Sequence, residues 1–175
     1  MSHSHPGDNR ISHLNMESSW GTIRIVAKDG RIRSCRLPPL SAEPQKPFKW
    51  LASDMNAVSV VDGRALKKAE RFTRDMFGGK RCEPPPFAWP ASTPFTLRVW
   101  RVLETIPCGT TLEYGAIARK IGRPGASRAV GRACGANPLP LFIPCHRVLP
   151  KDGTLGGFTG GLPWKRLLLE KEGVR

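Results

Sequence analysis

The sequence predicts a small α/β unit followed by a mainly α unit that carries a helix-turn-helix. Three observations lead there. Two strand-like runs and one amphipathic helix occupy the first half. A segment with five prolines in thirteen residues, "CEPPPFAWPASTP", divides the chain. Short helical patterns separated by Gly and Pro stops fill much of the second half. At 175 residues the chain is long enough for a real core in one or two small domains.

Taken in order, residues 1–18 are polar and read as a disordered tail; His3, His5 and His13 fall in it without the order a metal site needs. "TIRIVAKDGRIRSCRL", Thr22 to Leu37, reads as two strands, because Ile23, Ile25 and Ala27 alternate and Asp29-Gly30 supplies a hairpin turn. "SAEPQKPFKW" is a loop. "ALKKAERFTRDMFGGK" is a helix with Leu66, Ala69, Phe72 and Met76 on one face and Gly78-Gly79 as its stop. The proline-rich segment is the boundary between an N-terminal scaffold, 19–90, and a C-terminal unit, 91–175.

Thr93-Pro94 then opens a helix as N-cap and first residue, with Phe95, Val99, Leu103 and Ile106 as its apolar stripe. Thr110 and Glu113 have capping-box spacing, which predicts a helix over about Leu112 to Lys120, ended by Gly122. A further helix runs from about Ser127 to Cys134, with Gly135 suited to the C′ position and Pro138 forbidding continuation. Helix, short Gly-containing turn, helix is helix-turn-helix geometry. Pro138, Pro140, Pro144 and Pro150 impose an extended, non-helical path, the glycines from Gly153 to Gly161 a loop near a ligand, and "PWKRLLLEKEG" a terminal helix.

Composition narrows the function classes. Lysine and arginine number 28 against 14 aspartate and glutamate, a formal charge of +14. The excess is spread out, 15 against 9 up to Pro90 and 13 against 5 after it, which describes a basic surface on a folded protein and a polyanionic partner. The five cysteines include no CxxC pair, which argues against a disulfide framework or zinc ribbon and for a reducing, cytoplasmic setting. No signal peptide or membrane-spanning run is expected.

Two features carry chemistry. In "IPCHRV" Cys145 stands beside His146. A nearby imidazole can take a thiol proton and a carboxylate can orient that imidazole. From the residues alone, Cys145 remains a nucleophile, a packed core thiol or, with few ligands at hand, a metal ligand. The helix from Ala126 is the second feature: beside Arg128 and Arg132, its side chains at Ser127, Ala129 and Gly131 are small. A helix about 10–12 Å across fits the major groove at about 12 Å and is excluded from a minor groove of about 6 Å. One stripped to small residues can press into a widened minor groove; close packing against a core is the alternative.

"IPCHRV", preceded by "TTLEYGAIA" and "SRAVGRACGANPLP" and followed by "GGFTGG" and "LLLEKEG", resembles the O6-alkylguanine-DNA alkyltransferases, the methylated-DNA–protein-cysteine methyltransferases. The match runs from Phe95 to Gly173, while the N-terminal half matches in size and topology alone. The resemblance implies a ribonuclease-H-like N-terminal domain and irreversible, single-turnover transfer of an alkyl group from O6-alkylguanine, and from O4-alkylthymine, in duplex DNA to Cys145. It implies that His146, through a water, makes the thiolate; that Glu172 holds His146; and that Asn137 stitches the helix end to the active-site segment. Tyr114 would act on the flipped nucleotide, Arg128 would fill the gap it leaves, and Val148, Gly156, Thr159 and Pro140 would shape the guanine pocket. Ala126, Ser127, Ala129 and Gly131 would enter the minor groove, with Arg132, Arg123, Lys151 and Thr96 as further DNA contacts. It implies no cofactor, no metal, no membrane, a monomer, and a cytoplasmic location, or a nuclear one in a eukaryote. Phe158 stands where a tyrosine is common, and Phe95-Thr96 where "FQ" is frequent. A helix-turn-helix regulator with a silent thiol and a cysteine hydrolase are the rivals.

Overall fold

The computed structural model describes residues 11–174. Four antiparallel strands, β1 (Ser12–Ser18), β2 (Gly21–Lys28), β3 (Arg31–Arg36) and β4 (Trp50–Asn56), form one sheet in the order β3-β2-β1-β4. Asp29 and Gly30, both with positive φ (55° and 70°), make the predicted two-residue turn. Leu14, Met16, Ile23, Ile25, Ala27 and Ile32 alternate inward and are fully buried. The helix α1 (Val60–Phe77) lays Leu66, Ala69, Phe72 and Met76 toward the core, as its spacing predicts, and its start is fixed by Ser59, whose side chain accepts from Asp62 N.

The expectation of a disordered tail up to residue 18 is overturned from Ser12 onward, because Ser12–Ser18 is an inner strand paired on both sides. Its two end positions bury serines instead of apolar groups. Ser12 Oγ donates to Asp62 Oδ2 (2.9 Å) and accepts from Val58 N, and Ser18 Oγ donates to Gly21 O. Residues 1–10, with His3 and His5, lie outside the described residues; His13 lies on β1. The end of the predicted loop at Trp50 begins β4, an edge strand with little buried surface. The proline-rich segment packs along the other edge: Ala88 N donates to Ile32 O and Ile32 N to Pro86 O.

After it come α2 (Pro94–Glu104), a two-residue strand β5 (Leu112–Glu113), α3 (Tyr114–Lys120) and α4 (Ser127–Gly135). Then follow a single 3-10 turn over Cys145–Arg147, β6 (Val148–Leu149) and α5 (Leu162–Lys171). Thr93 caps α2 as predicted, accepting from Thr96 N. The capping box does not form: Leu112 and Glu113 pair in parallel with Val148 and Leu149, and the Thr110 hydroxyl turns to Pro107 O. Gly135 is the last residue of α4 and not a C′ glycine, since Ala136 takes the cap. The proline path is not extended at its centre; Cys145–Arg147 turns tightly.

One hydrophobic core runs from β1 to α5. Residues 37–49 form a strap that crosses from the sheet onto the C-terminal loops. Trp164 Nε1 donates to Pro38 O (2.7 Å), and Leu40 N donates to Gly160 O (2.9 Å). At the far end Phe48 joins Trp20, Trp50, Phe77 and Trp164 in an aromatic cluster with centroids 4.7–5.9 Å apart. Among the described residues no helix is long and apolar enough to cross a membrane.

Gly161 is where the strap closes. Its φ is +98°, and a Cβ there would run into the backbone carbonyl of Leu40. Gly161→Ala is expected to lower stability by more than the about 1–2 kcal/mol of a left-handed alanine, read by denaturant unfolding; an unchanged midpoint would mean the strap is not held there.

Candidate active site

Cys145 is buried at the wall of a cavity of about 390 Å³ lined by Tyr114, Gly131, Cys134, Gly135, Gly157, Phe158 and Thr159. Three elements bring these residues together: the start of α3, the last turns of α4, and the glycine-rich loop ahead of α5. The 3-10 turn at Cys145 fixes the thiol, with Cys145 N donating to Ile143 O. Asn137 secures the turn from below. Its Nδ2 donates to Ile143 O (2.8 Å) and to Cys145 Sγ (3.3 Å), and its Oδ1 accepts from Leu139 N. Burial pushes the Cys145 thiol up, while the bond from Asn137 and the charge of Lys165 pull it back toward thiolate.

His146 points away from solvent entirely. Its Nε2 lies 2.8 Å from Glu172 Oε1. Arg147 grips the same carboxylate with two parallel bonds, Nε to Oε2 (2.9 Å) and Nη2 to Oε1 (2.8 Å), and gives Nη1 to Ile106 O. Burial works against the Glu172 carboxylate, yet the bonds from His146 and Arg147 hold it down to about 2. An ionised Glu172 accepts only, so Nε2 carries the proton and Nδ1 is the basic nitrogen. Burial lowers the His146 pKa against the pull of Glu172, which keeps the ring neutral, and Nδ1 is buried with no hydrogen-bond partner among the described residues.

Tyr114 is half-buried at the cavity mouth, and burial, with the two nearby thiols, pushes its phenol up to about 12. It therefore stays a proton donor. Gly156, at φ +62°, leaves room beside it: a Cβ would sit 2.9 Å from Pro150 Cγ and 3.4 Å from the Tyr114 hydroxyl. Thr159 gives its hydroxyl to Gly135 O. Val148 is buried and Pro140 lines a neighbouring cavity with Thr159; of the predicted pocket residues, Tyr114 and Thr159 line the Cys145 cavity, and Val148, Gly156 and Pro140 are not among its lining. The basic residues Arg123, Arg128, Arg132 and Lys151 are all exposed; Ala126, Ser127, Ala129, Gly131 and Thr96 are half-buried.

Residues 94–174 match the family model for the 6-O-methylguanine DNA methyltransferase DNA-binding domain. The "Methylated-DNA--protein-cysteine methyltransferase" of Shigella flexneri is 52% identical over 81 residues, 46% of this chain and 47% of that protein, so this match spans about half the relative's length. The protein of the same name from Mycolicibacterium paratuberculosis is 35% identical over 162 residues, 93% of this chain and 92% of that one. The chain belongs to the methylated-DNA–protein-cysteine methyltransferase family. The structure of Mycobacterium tuberculosis OGT in complex with DNA superposes with a TM-score of 0.72, at 33% identity and 90% coverage of both chains.

Two residues of this methyltransferase-family site were missed by sequence reasoning: Arg147, which grips Glu172, and Lys165. Lys165 is fully buried, donates Nζ to Val148 O (2.7 Å) and Gly157 O (3.4 Å), and burial lowers its pKa to about 8 against the pull of Cys145 and Cys134. The signal was there: Lys165, Leu168 and Glu172 recur at spacings of three and four, which put the lysine on the inward face.

Glu172 has a folded pKa depressed from 4.5 to about 2. Its stabilisation is present above the ordinary carboxylate value and lost as pH falls through about 2. Glu172→Gln is expected to cost about 3–5 kcal/mol at neutral pH, the usual penalty for breaking a buried pair. The gap from wild type should narrow as pH falls from 4.5 toward 2, followed by urea unfolding across that range. A gap that does not change with pH would assign the loss to packing.

Proposed function

We propose that the protein repairs DNA by direct reversal, moving the alkyl group of O6-alkylguanine, or O4-alkylthymine, in duplex DNA irreversibly onto Cys145. The observation that carries this reading is the seat of Cys145: a thiol on a cavity wall, hydrogen-bonded by Asn137 and followed by a histidine whose proton is fixed by an ionised glutamate. A methyltransferase of this class needs an acceptor that is shielded, oriented and able to ionise on demand, and this arrangement supplies each.

His146 Nδ1 is the base, reaching Cys145 Sγ through a bridging water. The thiolate attacks the alkyl carbon, the S–C bond forms and the C–O6 bond breaks. Guanine leaves with its developing charge met by the Tyr114 hydroxyl, still protonated at neutral pH. The product is a thioether. No second thiol reverses it, so each molecule acts once.

In this reading α3 and α4 are a helix-turn-helix, and the half-buried small residues Ala126, Ser127, Ala129 and Gly131 seat α4 in the minor groove. The sheet with α1 is a ribonuclease-H-like scaffold, residues 19–90 being one domain and 91–175 the other, and the protein works as a cytoplasmic monomer. The exposed Arg128 occupies the space of the flipped nucleotide, and Arg123, Arg132, Lys151 and Thr96 contact the backbone, so binding weakens with salt. Val148, Gly156 and Thr159 shape the guanine pocket, with Pro140 at its wall. No metal or cofactor enters the scheme.

Incubation with duplex DNA containing O6-methylguanine, then intact mass and peptide mapping, is expected to find one methyl group on Cys145. Cys145→Ala should bind the DNA and take up none; methyl loss from DNA with this variant would refute the acceptor role. Arg128→Ala should transfer roughly tenfold or more slowly from duplex DNA, since an unsupported base step costs a few kcal/mol, while Cys145 keeps its reactivity toward a small thiol reagent. Equal single-turnover rates would remove the finger role.

A further inference from the structure

A second thiol lines the acceptor's cavity. Cys134, in the last turn of α4, and Cys145 line the same cavity, whereas the other free cysteines lie elsewhere: Cys35 borders one neighbouring cavity, and Cys82 and Cys108 another. Asn137 joins the two. Its backbone N donates to Cys134 O (3.2 Å) while its side chain donates to Cys145 Sγ (3.3 Å). Tyr114 and Lys165 each interact electrostatically with both sulfurs. Cys134 is 7% exposed, and what it shows opens on that cavity.

We propose that Cys134 is a resolving thiol for Cys145, converting an oxidised acceptor into a recoverable Cys134–Cys145 disulfide. The need arises from the proposed function, on which the biological value of this inference rests. A single-use acceptor that must ionise to react is open to oxidation whenever its thiolate forms, and beyond the sulfenic acid the damage is irreversible.

The steps balance with hydrogen peroxide as oxidant. The Cys145 thiolate attacks one peroxide oxygen, the O–O bond breaks, and hydroxide leaves a sulfenic acid. The Cys134 sulfur attacks the Cys145 sulfur, the S–O bond breaks, and the hydroxyl departs as water with the Cys134 proton. An external dithiol then exchanges twice, is itself oxidised to a disulfide, and restores both thiols. Confinement in one cavity favours this closure over encounter with a second oxidant molecule. Burial pushes the Cys134 thiol up to about 12, so its proton stays on sulfur until the resolving step and leaves there with the departing hydroxyl.

The test uses the full chain treated with equimolar hydrogen peroxide, blocked with iodoacetamide and mapped without reduction. The expected result is loss of two hydrogen atoms, a peptide pair joining Cys134 to Cys145, and recovery of methyl uptake from O6-methylguanine DNA on adding dithiothreitol. Sulfinic acid at Cys145 with Cys134 still reduced, or a disulfide involving Cys35, Cys82 or Cys108, overturns it. Cys134→Ser, with each sample compared to its own unoxidised control, should recover several-fold less uptake than wild type; equal recovery also overturns it. A mapped Cys134–Cys145 bond in a protein that takes no methyl from DNA would sink the acceptor reading and leave the disulfide standing.

Discussion

The Glu172 carboxylate is the point on which the site's geometry depends. It bonds His146, Arg147 and the backbone N of Gly109 (3.3 Å), and so ties the end of α5 to the Cys145 turn and to the connection after α2. Arg147 completes the ring by holding Ile106 O. Desolvating this charge is expensive, and the cost is met because both oxygens are fully used and an arginine lies against them. The imidazole is consequently locked in one tautomer with its free nitrogen on the side away from the glutamate. The same group that holds three segments together also selects which nitrogen is basic.

Above that node, the site is assembled from segments far apart in sequence. β5 and β6 contribute only two residues each, but their parallel pairing sets Tyr114 at the head of α3 next to the segment that follows Cys145. Lys165 does similar work from α5: its ammonium satisfies the carbonyls of Val148 and Gly157, joining the strand after Cys145 to the glycine-rich loop. The N-terminal half takes part through the strap and the aromatic cluster, since Leu40 fixes Gly160 and Pro38 fixes Trp164. The pocket loop is thus held between two halves of the chain instead of being carried by α5 alone.

The parts legible in the sequence were those written in local patterns. α2 follows its apolar stripe and the Thr93 cap, α1 follows apolar spacing from Ala65 on while its Ser59 cap and first five residues were not read, and the β2–β3 hairpin follows alternation and Asp-Gly. β1 was illegible because its inward ends are Ser12 and Ser18, whose burial is licensed by bonds to Asp62 and Gly21 that only the folded chain supplies. β4 is held by pairing to β1 and by Trp50 against Phe48 and Phe77, not by a buried face. The Thr110–Glu113 spacing mimicked a cap because nothing local reveals that Leu112 will pair with Val148. In the site, "PCHRV" drew attention to Cys145 and His146, and the resemblance supplied Asn137 and Glu172. Lys165 was hidden by the expectation that lysines are solvated, and Arg147 by the attention its neighbours Cys145 and His146 drew.

The strap has a consequence for how the chain tolerates change. Its two ends are anchored independently, at Pro38 and Leu40 on one side and at Pro47 and Phe48 on the other, where Pro47 O accepts from Ser19 Oγ. Between them, residues 41–45 are exposed except for the half-buried Pro44, and an ion pair between exposed side chains joins Glu43 to Arg166. Such a pair adds little, and lengthening an anchored loop costs only slowly with length. This tip is therefore a natural place to graft an affinity tag or a fluorophore: a cargo there would ride on the molecule while both anchors, and the pocket they brace, stay in register.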